Sequence, residues 1–183
     1  MKQYLQSGKV SLYIMLICTA ILLLNTLLPI NLNQFGIVPR SFSHLSGIIF
    51  APFLHGSWVH LFSNFIPFVI FGGLIGLNNI KRFWVLFIIQ IICTGCLVWL
   101  FARGNSVHIG MSGVIYAFWG YLIVYGFVRK RFVHIAISVV VLLLYGGLVF
   151  GVLPTTPGIS FESHLLGAIV GALSGYIFAK SEK

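Results

Sequence analysis

The chain has 183 residues, 59% hydrophobic and 7% charged, with a mean hydropathy of +1.06. A water-soluble domain of this size carries about 25% charged residues, so the sequence lacks the polar surface to fold in water and reads as an integral membrane protein. Its only carboxylate side chains are Glu162 and Glu182, and it contains no Asp. This excludes carboxylate-pair hydrolysis, Asp-rich Mg2+ or Ca2+ sites and a Ser-His-Asp triad.

In chain order, six apolar runs approach the twenty residues needed to cross about 30 Å of hydrocarbon: Val10 to Leu28, His60 to Leu77, Phe83 to Phe101, Ile109 to Val128, Val133 to Leu153 and Ile159 to Ala179. The first follows Lys2 and Lys9 as a signal peptide would, but no small-residue cleavage site comes after it, so it counts as a span. With no repeat and no low-complexity stretch, residues 1–183 are expected to form a single all-α membrane domain.

The net charge is +9, but the cations fall singly or in short clusters between spans rather than on a basic face, so orientation in a bilayer explains them better than nucleic acid does. Six spans put Lys2, Lys9, Lys81, Arg82, Arg129, Lys130, Arg131, Lys180 and Lys183 on one side and only Arg40 and Arg103 on the other. Cytoplasmic loops accumulate Lys and Arg, so both termini are expected in the cytoplasm, with spans two, four and six entering from outside. Cys18, Cys93 and Cys96 all lie within apolar runs, so neither a disulfide framework nor a redox motif is expected.

Polar groups inside spans cost about 2 to 3 kcal/mol each and usually mark function. Here they gather toward one membrane face: His55, His60 and Asn64 at the start of span two, Ser112 at the start of span four, and His164 at the start of span six. Ser112 lies in Gly110-Met111-Ser112-Gly113, whose glycines permit a tight turn and close approach to the hydroxyl. A serine nucleophile needs a base, and His164 is the candidate. Glu162, two residues away, points to another side of the helix, leaving a Ser-His dyad. His60 and Asn64, spaced i,i+4, can aim an imidazole and an amide donor into one pocket, with the Ser112 backbone N–H as a third. Tyr116, one turn from Ser112, can lie against His164 and restrain its ring.

His55-Gly56-Ser57-Trp58-Val59-His60-Leu61-Phe62-Ser63-Asn64, the Gly-x-Ser-Gly of residues 110–113 and His164-Leu165-Leu166-Gly167, in this order on spans of this number, resemble the rhomboid intramembrane serine proteases. The resemblance implies a six-transmembrane-helix rhomboid-like bundle, N-in/C-in, that cleaves single-span or multi-span membrane proteins from within the lipid bilayer. Ser112 would be nucleophile, His164 general base, and His60 with Asn64 oxyanion donors. His55, Gly110, Gly113, Tyr116 and Gly167 would support the site. The Val133 to Leu153 helix and the Pro154 to Phe161 loop would be gate and cap, with Pro154, Pro157 and Gly158 suited to an irregular segment.

Gly167, Gly171 and Gly175, beside Ala168 and Ala172, form a small-residue stripe whose partner by the resemblance is span four. The Trp-Arg pair common in the family's first external loop is absent, the loop reading Phe35-Gly36-Ile37-Val38-Pro39-Arg40 and continuing to Pro52, and Ser163 stands where alanine is frequent. His44 and His108 are expected to be solvated in external loops, and His134 to lie on the cytoplasmic side.

No cofactor or metal is expected. A zinc site from His55, His60 and His164 lacks His-Glu-x-x-His, and its five-residue step does not stack two ligands on one face. The alternative function is a catalytically silent rhomboid-like protein that binds membrane clients. The expected location is a bacterial plasma (inner) membrane, with the site opening to the extracytoplasmic side.

Overall fold

A computed structural model describes residues 2–77, 79–154, 158 and 160–182. The helices are α1 (Lys2–Leu27), α2 (Gly47–Phe50), α3 (Trp58–Ile75), α4 (Ile80–Phe101), α5 (Ser112–Arg129), α6 (Phe132–Tyr145) and α7 (Phe161–Ser181). Among the described residues the one β-type pairing outside named strands is an antiparallel bridge between Ile37 and His108.

Among the described residues five segments are long and apolar enough to cross a membrane: Gln6–Leu27, Trp58–Ile75, Ile80–Phe101, Phe132–Val152 and Phe161–Ser181. The chain is a multi-pass helical membrane protein. The remaining expected run, Ile109 to Val128, corresponds to α5 and is not among the five. Tyr, Trp and Gly dilute its hydropathy, and 11 of its 18 residues are buried, so it presents little surface that needs to match lipid.

Helix ends differ from the apolar runs for local reasons. The second span begins at Trp58 because the Ser57 hydroxyl accepts the His60 N–H at 3.1 Å as an N-cap. The fourth apolar run becomes helical at Ser112 rather than Ile109, because Gly110 has φ +113 and its N–H goes to the Ala51 carbonyl. The sixth begins at Phe161, where Ser160 caps the Ser163 N–H. The fifth leaves α geometry at the Gly146-Gly147 pair and continues as a 3-10 turn over Gly146–Val152.

α5 and α7 approach at backbone distance. A Cβ at Gly167 would collide with the Gly113 carbonyl and one at Gly171 with the Ala117 carbonyl. One at Gly175 would sit 2.8 Å from the Tyr121 carbonyl, and one at Gly120 2.5 Å from that of Ala168. Without side chains between them, two helices gain dispersion contacts that lipid cannot supply. Gln90 on α4 donates to Ser174 on α7 at 2.8 Å, tying a third helix to the pair. Phe68, Phe83, Phe87 and Phe118 stack in the core between α3, α4 and α5.

α6 is held differently. Its buried residues are Ser138 and Val141, and the Ser138 hydroxyl donates to the Leu122 carbonyl of α5 at 2.8 Å. Phe132, Leu143 and Leu144 are exposed. The helix is therefore fastened along one narrow stripe.

The first loop is fastened to the end of α4 by an Arg of its own and a Trp of that helix. Arg40 donates through Nη1 to the Ala102 carbonyl at 2.8 Å and the Leu100 carbonyl at 3.2 Å, placing a cation at the C-terminus of α4. The Trp99 indole N–H donates to the Ser41 carbonyl at 3.0 Å, and its ring packs edge-on against Phe42.

Gly171→Val is expected to destabilise the protein by more than about 3 kcal/mol, since the colliding partner is backbone. Gly8→Ala, where a Cβ meets nothing within 4 Å, should be neutral or stabilising. Thermal unfolding in one detergent checks both.

Candidate active site

The starts of α3, α5 and α7 meet at the end of the bundle that also carries the loops before α3, α5 and α7. There the His164 Nε2 lies 2.9 Å from the Ser112 Oγ. The other ring nitrogen, Nδ1, is 2.9 Å from the Gly151 carbonyl. A carbonyl only accepts, so Nδ1 carries the proton and Nε2 is left as the acceptor for the Ser112 hydroxyl. Glu162 is turned away, its Oε1 pairing with the Arg103 guanidinium at 3.2 Å.

The Tyr116 ring stacks on the His164 imidazole, centroids 4.1 Å apart and planes 7° from parallel. A Cβ on Gly151 would run into the Tyr116 hydroxyl and come within 3.3 Å of His164 Nδ1. The 3-10 turn after α6 thus reaches the imidazole only because residue 151 is glycine. No sequence signal pointed to Gly151, because its contribution is a backbone oxygen brought from 13 residues away.

Facing the serine, the His60 ring and the Asn64 amide flank Gly110, where a Cβ would come within 2.6 Å of the imidazole and 3.7 Å of Asn64 Nδ2. Asn64 donates one amide hydrogen to His55 Nε2 at 3.1 Å, which keeps the amide oriented. His55 also meets the His60 ring edge-on at 5.0 Å, and its own carbonyl accepts from Asn33. Gly113 and Gly167 sit at the α5–α7 contact, immediately behind the serine. No side chain caps α5, so the first-turn N–H groups beginning at Ser112 have no intrahelical partner. Behind the serine, a cavity of about 30 Å³ touches Gln90, Thr94, His108 and Ser163, and Gln90 Oε1 and Thr94 Oγ1 face no protein partner. Such a space admits a water.

His108 departs from expectation. It is 3% exposed, not solvated, because its backbone pairs with Ile37 and both ring nitrogens meet serine hydroxyls. His44 is half-buried among Ser41 and Ser43, and His134 lies at the start of α6 against Tyr125, at the far end of the bundle. Cys93 and Cys96 are free thiols on α4. Of the expected cap, Thr155, Thr156, Pro157 and Ile159 lie outside the described residues, as does Lys183. Among the described residues no three His, Cys, Asp or Glu side chains gather as metal ligands.

A multi-pass helical bundle that brings a serine and a histidine together at the starts of two touching helices defines a narrow class of membrane protein. The chain belongs to the rhomboid family, whose Rhomboid domain model matches residues 42–181. It is 35% identical over 162 residues to uncharacterized proteins of Mycobacterium tuberculosis and Mycobacterium bovis, covering 84% of this chain and 67% of theirs. An uncharacterized protein of Mycobacterium leprae is 34% identical over 162 residues, 84% of this chain and 64% of that one.

Burial, and then the neighbouring His60, push the His55 imidazole down to about 4. An unfolded chain binds a proton there from about pH 6.5 downward, while the folded one refuses it until about 4. This contribution to stability is complete above pH 6.5 and declines as pH falls toward 4. Tm measured across that window should drop in the parent, and the drop should be shallower in His55→Gln.

Proposed function

We propose that this protein is an intramembrane serine endopeptidase that cleaves membrane-protein substrates through a Ser112-His164 dyad. The observation that carries the reading is the 2.9 Å contact between His164 Nε2 and the Ser112 hydroxyl, with Nδ1 held by a carbonyl so that Nε2 is basic. A client-binding protein without chemistry has no need of a fixed tautomer at this position.

Ser112 Oγ attacks the scissile carbonyl while His164 Nε2 takes its proton, and the new oxyanion is met by His60, the second Asn64 N–H and the Ser112 N–H. The uncapped start of α5 adds its positive dipole end to the same point. Collapse breaks the C–N bond, and the proton on Nε2 goes to the leaving amine. Water then repeats the sequence on the ester, releasing the acid and restoring the serine. Tyr116 and Gly151 keep the imidazole in plane in place of a carboxylate.

In this reading residues 1–183 form one domain, α5 also crosses the membrane and brings the crossings to six, both termini face the cytoplasm, and the site opens to the extracytoplasmic side of a bacterial plasma membrane. α6 and the turn after it form the gate, which suits a helix attached along one stripe. Helix-destabilising residues in the substrate expose carbonyls that an intact transmembrane helix hides.

Incubation of reconstituted protein with single-span substrates, read by mass spectrometry of fragments, tests this. Ser112→Ala and His164→Ala are expected to abolish cleavage with the fold retained, and Asn64→Ala to lower kcat by about 10²-fold. Chelators should have no effect. Cleavage by Ser112→Ala at the parent rate overturns the proposal.

A further inference from the structure

The base and the nucleophile are each preceded, four residues earlier, by a second partner pair. His108 stands four before Ser112 and Ser160 four before His164, and His108 Nδ1 meets the Ser160 hydroxyl at 2.5 Å. The two Ser-His contacts therefore span the same 52 residues and close a ring through the starts of α5 and α7. Ser160 is no bystander to α7: its hydroxyl caps the Ser163 N–H, and its carbonyl accepts the His164 N–H at 3.3 Å. On the other side, His108 is fixed through its backbone to Ile37, with bonds of 2.8 and 3.0 Å.

The hydrogen bonds have one consistent direction. Ser106 Oγ donates to the Arg103 carbonyl at 3.0 Å, so at its 2.9 Å contact with His108 it accepts from Nε2–H. His108 Nδ1 is then the acceptor for the Ser160 hydroxyl, and Ser160 Oγ accepts in turn from the Ser163 hydroxyl at 2.7 Å. Every hydroxyl along Ser163, Ser160, His108 and Ser106 is satisfied with a neutral ring. Burial lowers the affinity of His108 for a second proton, with the nearby Arg103 acting in the same direction and the Arg103 backbone and Glu162 opposing. Ser163, in the position where alanine is frequent, supplies the first donor of the chain.

We propose that His108 is a positioning residue: with Ser160 it forms a second rung between the starts of α5 and α7 that sets the separation of Ser112 and His164. It touches no reacting atom. The proposal deepens the peptidase reading and rests on it for its consequence in turnover, while the geometry of the rung stands apart from activity. Misplacing a reacting pair by about 1 Å costs about 10²-fold in rate, so a loose rung lowers kcat more than it raises KM.

The test compares the parent, His108→Leu, His108→Gln, Ser160→Ala and the His108→Leu/Ser160→Ala pair in the reconstituted full chain. Cleavage kinetics, Tm and the 15N shifts of the His164 imidazole are read on each. Expected are a loss of kcat of about 10- to 100-fold in His108→Leu, recovery of most of it in His108→Gln, which keeps one donor and one acceptor, and no further loss in the pair. The His164 shifts in His108→Leu should move toward those of Ser112→Ala, reporting a stretched contact. Parent-like kcat and His164 shifts in His108→Leu overturn the rung, as does a loss that follows Tm alone and is not rescued by Gln. A parent that cleaves nothing, yet whose His164 shifts still respond to His108→Leu, leaves the rung standing and removes the peptidase reading.

Discussion

The close approach of α5 to α7 is the constraint on which the rest depends. Gly113, Ala117, Gly120 and Tyr121 face Gly167, Ala168, Gly171 and Gly175 with carbonyls where side chains would otherwise lie. Helices with ordinary side chains pack 8 to 10 Å apart; here the glycines let the two backbones come into direct contact, which fixes where the first turns carrying Ser112 and His164 lie relative to each other. The same packing leaves the uncapped start of α5 beside His164. Within lipid this contact cannot be driven by escape from water, so shape supplies what hydrophobicity supplies in a soluble protein.

Around this rigid pair the other helices divide by how firmly they are held. α4 is tied to α7 through Gln90 and Ser174, and α1 to α3 through Ser7, which donates to the Gly73 carbonyl. α6 has little buried surface, yet the turn at its end carries Gly151, the acceptor that fixes the His164 tautomer. A helix with little buried surface thus leads into the carbonyl that orients the His164 imidazole. In the proposed reading, movement of α6 away from α5 would admit substrate from lipid and withdraw the Gly151 carbonyl together.

Much of this was legible in the sequence, and the reasons are physical. Long apolar runs and charge-poor composition announce membrane helices, and polar residues inside them stand out because each is costly, so Ser112, His60, Asn64 and His164 were visible. The glycine stripe of α7 carried its meaning in its four-residue period. What stayed hidden was made by the folded chain. Gly151 acts through a backbone oxygen, Arg40 and Trp99 fasten the first loop to α4 from 59 residues apart, and His108 looks like any loop histidine until Ser160 and Ile37 close over it. In sequence α5 looks like the other apolar runs, and only its enclosed position among its neighbours explains its Tyr and Gly content.

The central claim is that the Ser112 hydroxyl is activated by its contact with His164. Peptide mapping after treatment of the reconstituted protein with a fluorophosphonate measures this directly. A single phosphonyl group on Ser112, absent from His164→Ala, is the predicted result. Label on another residue, or equal modification of Ser112 in His164→Ala, would contradict it.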